Sequence, residues 1–162
     1  MKKINIKDIV MYASVAAIYV VLTWLFGSLS YGPIQFRISE VLVLLCFFNK
    51  KYFTSLTLGC LISNLMSPNS LDILFGTLAT MISLFFICKS KNLFIASLYP
   101  VIFNGLIVAL ELTVFSGIYD WNLYLFYAST VALGEFVCVS IVGVILFTFL
   151  KGNKDFIKMI NE

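Results

Sequence analysis

Every lysine in this chain falls in alternate gaps between apolar runs, and that placement limits the fold more than any other feature. Lys2, Lys3 and Lys7 precede the first run. Lys50 and Lys51 lie between the second and third, Lys89 and Lys91 between the fourth and fifth, and Lys151, Lys154 and Lys158 after the sixth. The intervening gaps, 30–35, 67–70 and 117–121, carry no lysine or arginine. A chain that crosses a bilayer repeatedly and keeps its basic loops on the cytoplasmic side produces this pattern. The expected spans are 8–29, 36–49, 52–66, 71–88, 93–116 and 122–150. The expected fold is an all-α integral membrane protein, a six-transmembrane-helix bundle in one membrane domain over residues 1–162, with both termini cytoplasmic.

Composition agrees. The chain is 61% hydrophobic with a mean hydropathy of +1.02, and only 12% of its residues are charged, about half the fraction usual in a soluble domain. The first, fifth and sixth runs are long enough to cross about 30 Å of hydrocarbon. The second and third reach only roughly 20 Å and need protein around them or a position toward one face. The N-terminal lysines and the following apolar run have the form of a signal peptide, but that run is too long for one and is taken as the first span. Pro33, Pro68 and Pro100 are placed at or near loops, where turns suit them.

Several chemistries are excluded. With no histidine, Ser-His and Cys-His catalysis and an HExxH metal site are ruled out. Cys46, Cys60, Cys88 and Cys138 form no CxxC, so no metal site is expected and the cysteines are taken as small buried apolar residues. No basic patch of the kind that binds nucleic acid is present. No Walker A motif is present either, so the chain cannot drive transport through its own P-loop.

Ionisable groups inside a membrane are costly unless paired or hydrated, so each is a candidate for function. Here they are Arg37, Glu40, Asp72, Glu111 and Glu135, joined by Asn64 and Asn104. All fall in the half of the expected bundle away from the lysines, on five different spans, as an outward-facing polar pocket requires. Arg37 and Glu40 are i, i+3 on one helix face. Asn104 and Glu111 lie on one stripe with Val108. Small residues around Glu135, including Ala128, Ala132 and Gly134, are expected to leave space beside it. Four carboxyls face one arginine, which favours a cationic ligand or one rich in N–H donors. Phe75, Phe103, Tyr119, Trp121 and Tyr124 are expected to supply flat walls. Structural roles compete with these. Arg37 and Glu40 could neutralise each other, Asp72 could be a first-turn helix acid, and Asn104 could only link helices. Ala13 and Ala17 form a small-xxx-small motif that admits a close helix, either within the chain or from a partner.

Four stretches carry a family resemblance: YGPIQFRISE (Tyr31–Glu40), LDILFGTLAT (Leu71–Thr80), FNGLIVALEL (Phe103–Leu112) and ALGE (Ala132–Glu135). In them the chain resembles the queuosine-precursor transporter family, the substrate-binding S components of energy-coupling factor (ECF) transporters. The resemblance implies capture of a 7-deazaguanine at the outer face and work with a membrane T subunit and two ATPase subunits. ATP is then used by those partners, with no cofactor in this chain. It also implies that Ala13 and Ala17 dock the T subunit. Arg37, Glu40, Asn64, Asp72, Asn104, Glu111 and Glu135 become the expected ligand-binding set, with no catalytic residue. Tyr31, Gly32 and Gln35 become a lid loop. The alternatives are an S component for another cationic vitamin such as thiamine, a stand-alone proton-coupled carrier with Glu135 as its proton site, an intramembrane acid–base enzyme using Glu111 and Glu135, and a membrane scaffold.

Overall fold

A computed structural model describes residues 6–31 and 35–161. Among them there is no strand, and nine α-helices are joined by two 3₁₀ segments and one π segment. Helix α1 spans Ile6–Leu25, and a short α2 (Gly27–Ser30) follows a break at Phe26. A 3₁₀ segment, Ile38–Leu44, leads into α3 (Leu45–Phe48), and α4 covers Tyr52–Leu65. A second 3₁₀ turn, Ser70–Ile73, precedes α5 (Phe75–Ile87). Helix α6 is Leu93–Ser116 and α7 is Trp121–Glu135. The π segment Phe136–Gly143 joins α7 to α8 (Val144–Lys151), and α9 is Lys154–Asn161.

Four helical stretches are long and apolar enough to cross a membrane: Ile6–Leu25, Ser70–Ile87, Leu93–Ser116 and Trp121–Lys151. The second and third expected spans are shorter, Ile38–Phe48 and Tyr52–Leu65. Ile38–Phe48 extends itself by its 3₁₀ turns, which rise about 2.0 Å per residue, yet still reaches only about 20 Å. It lies against the π segment and α1, and Val43, Leu44 and Cys46 are fully buried.

In a bilayer, helices gain little from hydrophobicity and associate through close packing of small residues. Helix α6 packs on both α5 and α7. A Cβ on Gly105 would stand 3.1 Å from the Ala132 Cβ, so the α6–α7 contact depends on small residues on both sides. Pro100 departs from expectation. It lies inside α6, not near a loop. The helix tolerates it within a buried face that also holds Ala96, Ser97 and Asn104. Helix α9 was not anticipated. Its apolar side, with Ile160 buried, packs into the core, and the Asn49 side-chain amide donates to the Ile160 carbonyl at 2.7 Å.

Candidate functional site

The polar residues picked out along the chain converge in the bundle interior. Arg37, Glu40, Asn64, Asp72, Asn104, Glu111 and Glu135 are all buried. They form an upper and a lower group.

The upper group is built on Arg37. Its guanidinium pairs with Asp72 at 3.5 Å, and its Nη2 donates to the Asn64 Oδ1 at 3.1 Å. Asn64 in turn donates to the Thr77 hydroxyl at 3.1 Å, and Ser67 donates to the other Asp72 oxygen. Gly76 makes the arrangement possible. A Cβ there would stand 3.0 Å from the Asn64 amide nitrogen and 3.3 Å from the Asp72 carboxyl. Glu111 stands beside Asp72 and accepts from the Asn69 amide at 2.5 Å. The Tyr31 ring lies 6.0 Å from the guanidinium carbon, and its hydroxyl donates to the Ser63 carbonyl at 2.6 Å. Partial burial raises the Tyr31 phenol above its ordinary pKa, so it remains a donor.

The lower group holds Glu40 and Glu135. Tyr19 and Thr80 donate to the same Glu40 oxygen at 2.5 and 2.9 Å. Asn104 donates to Glu135 at 2.7 Å, and the Glu40 and Glu135 carboxyls are electrostatic neighbours. Glu135 is 14 residues into the Trp121–Lys151 stretch, about 21 Å from its start, close to the middle of that stretch. Directly after it the helix widens into its π segment, a distortion that accompanies functional sites in helices.

Two of the competing structural roles do not hold, and one expectation changes. Arg37 and Glu40 do not form a self-contained pair. Arg37 stands before the 3₁₀ segment with φ −82° and ψ 87°, so its side chain leaves the Glu40 face and crosses to Asp72. Nor is Asp72 merely a helix-end acid, since it is the partner of the buried cation. The small residues near Glu135 serve close packing instead of leaving space. A Cβ on Gly134 would collide with the Gln35 carbonyl, which seats the 35–37 backbone on α7.

The aromatic walls are also corrected. Tyr119 and Trp121 are 80% and 68% exposed. With Tyr124 they border a separate groove between α6 and α7. Phe103 stacks on Phe86 with centroids 5.2 Å apart, and Phe75 is half-buried. Of the expected lid, Tyr31 lies beside Arg37 in the upper group, Gln35 is buried with its carbonyl against Gly134, and Gly32 lies outside the described residues, as do Pro33, Lys2 and Lys3. Ala13 and Ala17 are exposed on α1. The small residue that α1 uses within the chain is Ala16, whose carbonyl would lie 3.1 Å from a Cβ on Gly59. Sequence reasoning missed Tyr19, Asn69 and Thr80, which hold the carboxyls in place. Asn69 carried a signal as an N-cap residue: its side chain accepts from the Leu71 amide at 3.1 Å.

Among the described residues, six buried acceptor atoms have no hydrogen bond: Gln35 Oε1, Glu40 Oε2, Asp72 Oδ1, Asn104 Oδ1, Glu111 Oε2 and Glu135 Oε2, although Asp72 Oδ1 is the oxygen that faces the Arg37 guanidinium. On the other side of the tally are the Arg37 Nε donor and the Ser30 hydroxyl. Buried acceptors without donors are costly. Their concentration on one set of converging side chains marks a site suited to a molecule rich in N–H groups.

Comparison with known proteins points the same way. The sequence profile described as "QueT transporter" matches residues 9–152. A relative in Lactococcus lactis subsp. cremoris (strain MG1363), described as "Queuosine precursor transporter QueT", is 51% identical over 86 residues, covering 52% of this chain and 51% of the relative. The match thus spans about half the length of that curated relative. No solved structure matches.

Proposed function

Because the chain belongs to the QueT transporter family, a family of transporters and not of enzymes, we propose that it is the substrate-binding S component of an ECF-type importer. It captures a queuosine precursor or related 7-deazaguanine at the outer face of the cell membrane. A membrane T subunit and two ATPase subunits then drive uptake. In this reading the chain crosses the bilayer six times, and both termini and all ten lysines lie in the cytoplasm.

The observation that carries the reading is the excess of buried, unpartnered acceptors around a single guanidinium. A 7-deazaguanine presents N1–H and 2-amino donors on one edge, which a carboxylate accepts as a bidentate pair. Glu135, held by Asn104 through one oxygen, keeps its other oxygen for that edge. Glu40 keeps one in the same way. An aminomethyl substituent is cationic and suits the Glu111–Asp72 pair above. Arg37 and Asn64 brace that pair, and Tyr31, Gly32 and Gln35 form the lid. Ala13 and Ala17, exposed on α1, face the T subunit.

The test is calorimetry on the purified chain with the aminomethyl 7-deazaguanine, using thiamine as the control. Low-micromolar or tighter binding of the deazaguanine alone is expected. Glu135→Gln and Glu111→Gln should each weaken it by about tenfold or more, a loss of about 1.4 kcal/mol. Folded protein that ignores the deazaguanine, or two variants that bind as the parent does, would refute the assignment. Uptake into liposomes by the chain alone under a proton gradient would support a stand-alone carrier instead.

A further inference from the structure

At the end of the bundle that carries the lysines, outside the polar site, lies an apolar groove of about 380 Å³. Its walls come from α1, the 3₁₀ segment with α3, and the C-terminal helices α8 and α9. Met11, Val15 and Ile18 line one side, and Leu146, Leu150 and Met159 the other. Ile18, Leu146 and Met159 are exposed, so the groove opens on the membrane-facing surface.

The mouth of this groove is basic. Lys7 lies one helical turn before Met11, on the α1 stripe that lines the groove. Lys151 is four residues after Phe147, which lines the groove, and Lys154 opens α9 three residues further on at the same end of the bundle. All three lysines are exposed. Among the described residues, this end of the bundle carries eight lysines against Asp8 and Asp155. An apolar slot with a cationic mouth at the membrane boundary has the form of one phospholipid, with its tail in the slot and an anionic head at the lysines.

The groove is distinct from the Ala13/Ala17 face. At about 100° per residue, Ala13 and Ala17 lie roughly 120–160° around α1 from the Met11–Ile18 stripe. A helix docked on the alanines would therefore leave the groove open.

We propose that this groove is a binding site for one anionic phospholipid of the surrounding bilayer, with an acyl chain between α1 and α8–α9 and its headgroup held by Lys7, Lys151 and Lys154. It does not depend on the ligand assigned to the polar site.

The experiment is native mass spectrometry of the full chain, delipidated in detergent and titrated with phosphatidylglycerol or phosphatidylcholine of matched acyl chains. One phosphatidylglycerol should bind about tenfold or more tightly than phosphatidylcholine. The triple variant Lys7→Gln/Lys151→Gln/Lys154→Gln should bring the two lipids to within about twofold of each other. Ser14→Trp, which fills the groove from an exposed position on its wall, should weaken both lipids. All these substitutions are on the surface, and retained deazaguanine binding or an unchanged melting temperature certifies the fold. Equal affinity for the two lipids overturns the proposal. So do a preference that survives the triple variant, binding indifferent to Ser14→Trp, and a groove closed by a second copy of the chain.

Discussion

Arg37→Met isolates the contact on which the upper site depends. The guanidinium and its Asp72 partner are 1% and 4% exposed and 3.5 Å apart. Methionine keeps an unbranched side chain but removes the charge, the ion pair and the bond to Asn64. Asp72 then stays buried with Ser67 and beside a second carboxyl, Glu111. Removing one member of a buried pair costs about 3–5 kcal/mol, because the other charge is left uncompensated. For a chain of this size, about 2–4 °C is lost per kcal/mol, so melting should fall by roughly 6–20 °C. Light-scattering or intrinsic-fluorescence melting of the detergent-solubilised chain reads this directly. The decisive sample is the double variant Arg37→Met/Asp72→Asn. With the orphaned charge removed, it should recover much of the loss, with a coupling of about 1–3 kcal/mol. Arg37→Lys should fall in between, because an ammonium cannot reach Asn64 and Asp72 with the same planar fork. A melting point within about 2 °C of the parent for Arg37→Met, or a double variant whose loss is the sum of the singles, would refute the claim that this ion pair holds the upper group.

Other outcomes follow from the same geometry. Tyr19→Phe removes the 2.5 Å bond to Glu40, and should cost about 1.5–3 kcal/mol of stability in a melting assay. Gly134→Ala drives a Cβ into the Gln35 carbonyl and should destabilise by about 1–3 kcal/mol, while also weakening ligand binding by displacing the 35–37 segment. Trp121→Ala, at a 68% exposed position, should leave ligand affinity within about twofold of the parent in calorimetry; a larger loss would return the outer aromatics to the pocket wall. Ala13→Leu/Ala17→Leu should leave binding by the isolated chain unchanged yet depress uptake in cells that express the partner subunits.

The residue types of the site were legible in the sequence because a membrane segment has few reasons to carry a carboxylate or an arginine. Burial of all seven candidates follows from that cost. Their pairing was not legible, because pattern rules speak only of near neighbours. Arg37 and Glu40 are three apart, and a regular helix would have put them on one face. The chain instead enters a 3₁₀ segment after Arg37, and the partners of the two residues come from elsewhere. Arg37 finds Asn64 and Asp72, while Glu40 finds Tyr19 and Thr80. Tyr19 and Thr80 lie in apolar runs where their hydroxyls gave no signal. Gly134 misled for a related reason. A small residue beside a carboxylate suits either an opening or a close backbone approach, and only the long-range contact with Gln35 decides for the second.

This division of partners sets the chemistry of the interior. Had Arg37 and Glu40 neutralised each other, the lower group would be Glu135 and Asn104 alone, a single bond already made. Because Arg37 turns away to Asp72, Glu40 remains opposite Glu135, and both keep an oxygen without a donor. A neutral, donor-rich ring between them would supply hydrogen bonds that the protein does not make for itself, and would be held without a cation of its own. On the proposed reading, a cationic substituent would sit higher, where Glu111 and Asp72 share one guanidinium. On that reading the two groups would separate recognition of the ring from recognition of its substituent. Glu135→Gln should accordingly weaken a deazaguanine with or without the aminomethyl group to a similar degree. Glu111→Gln should weaken the aminomethyl form by about tenfold and leave the plain base nearly unaffected. Calorimetry with both ligands on both variants measures this, and an equal loss for the two ligands on Glu111→Gln would show that the groups act as one site.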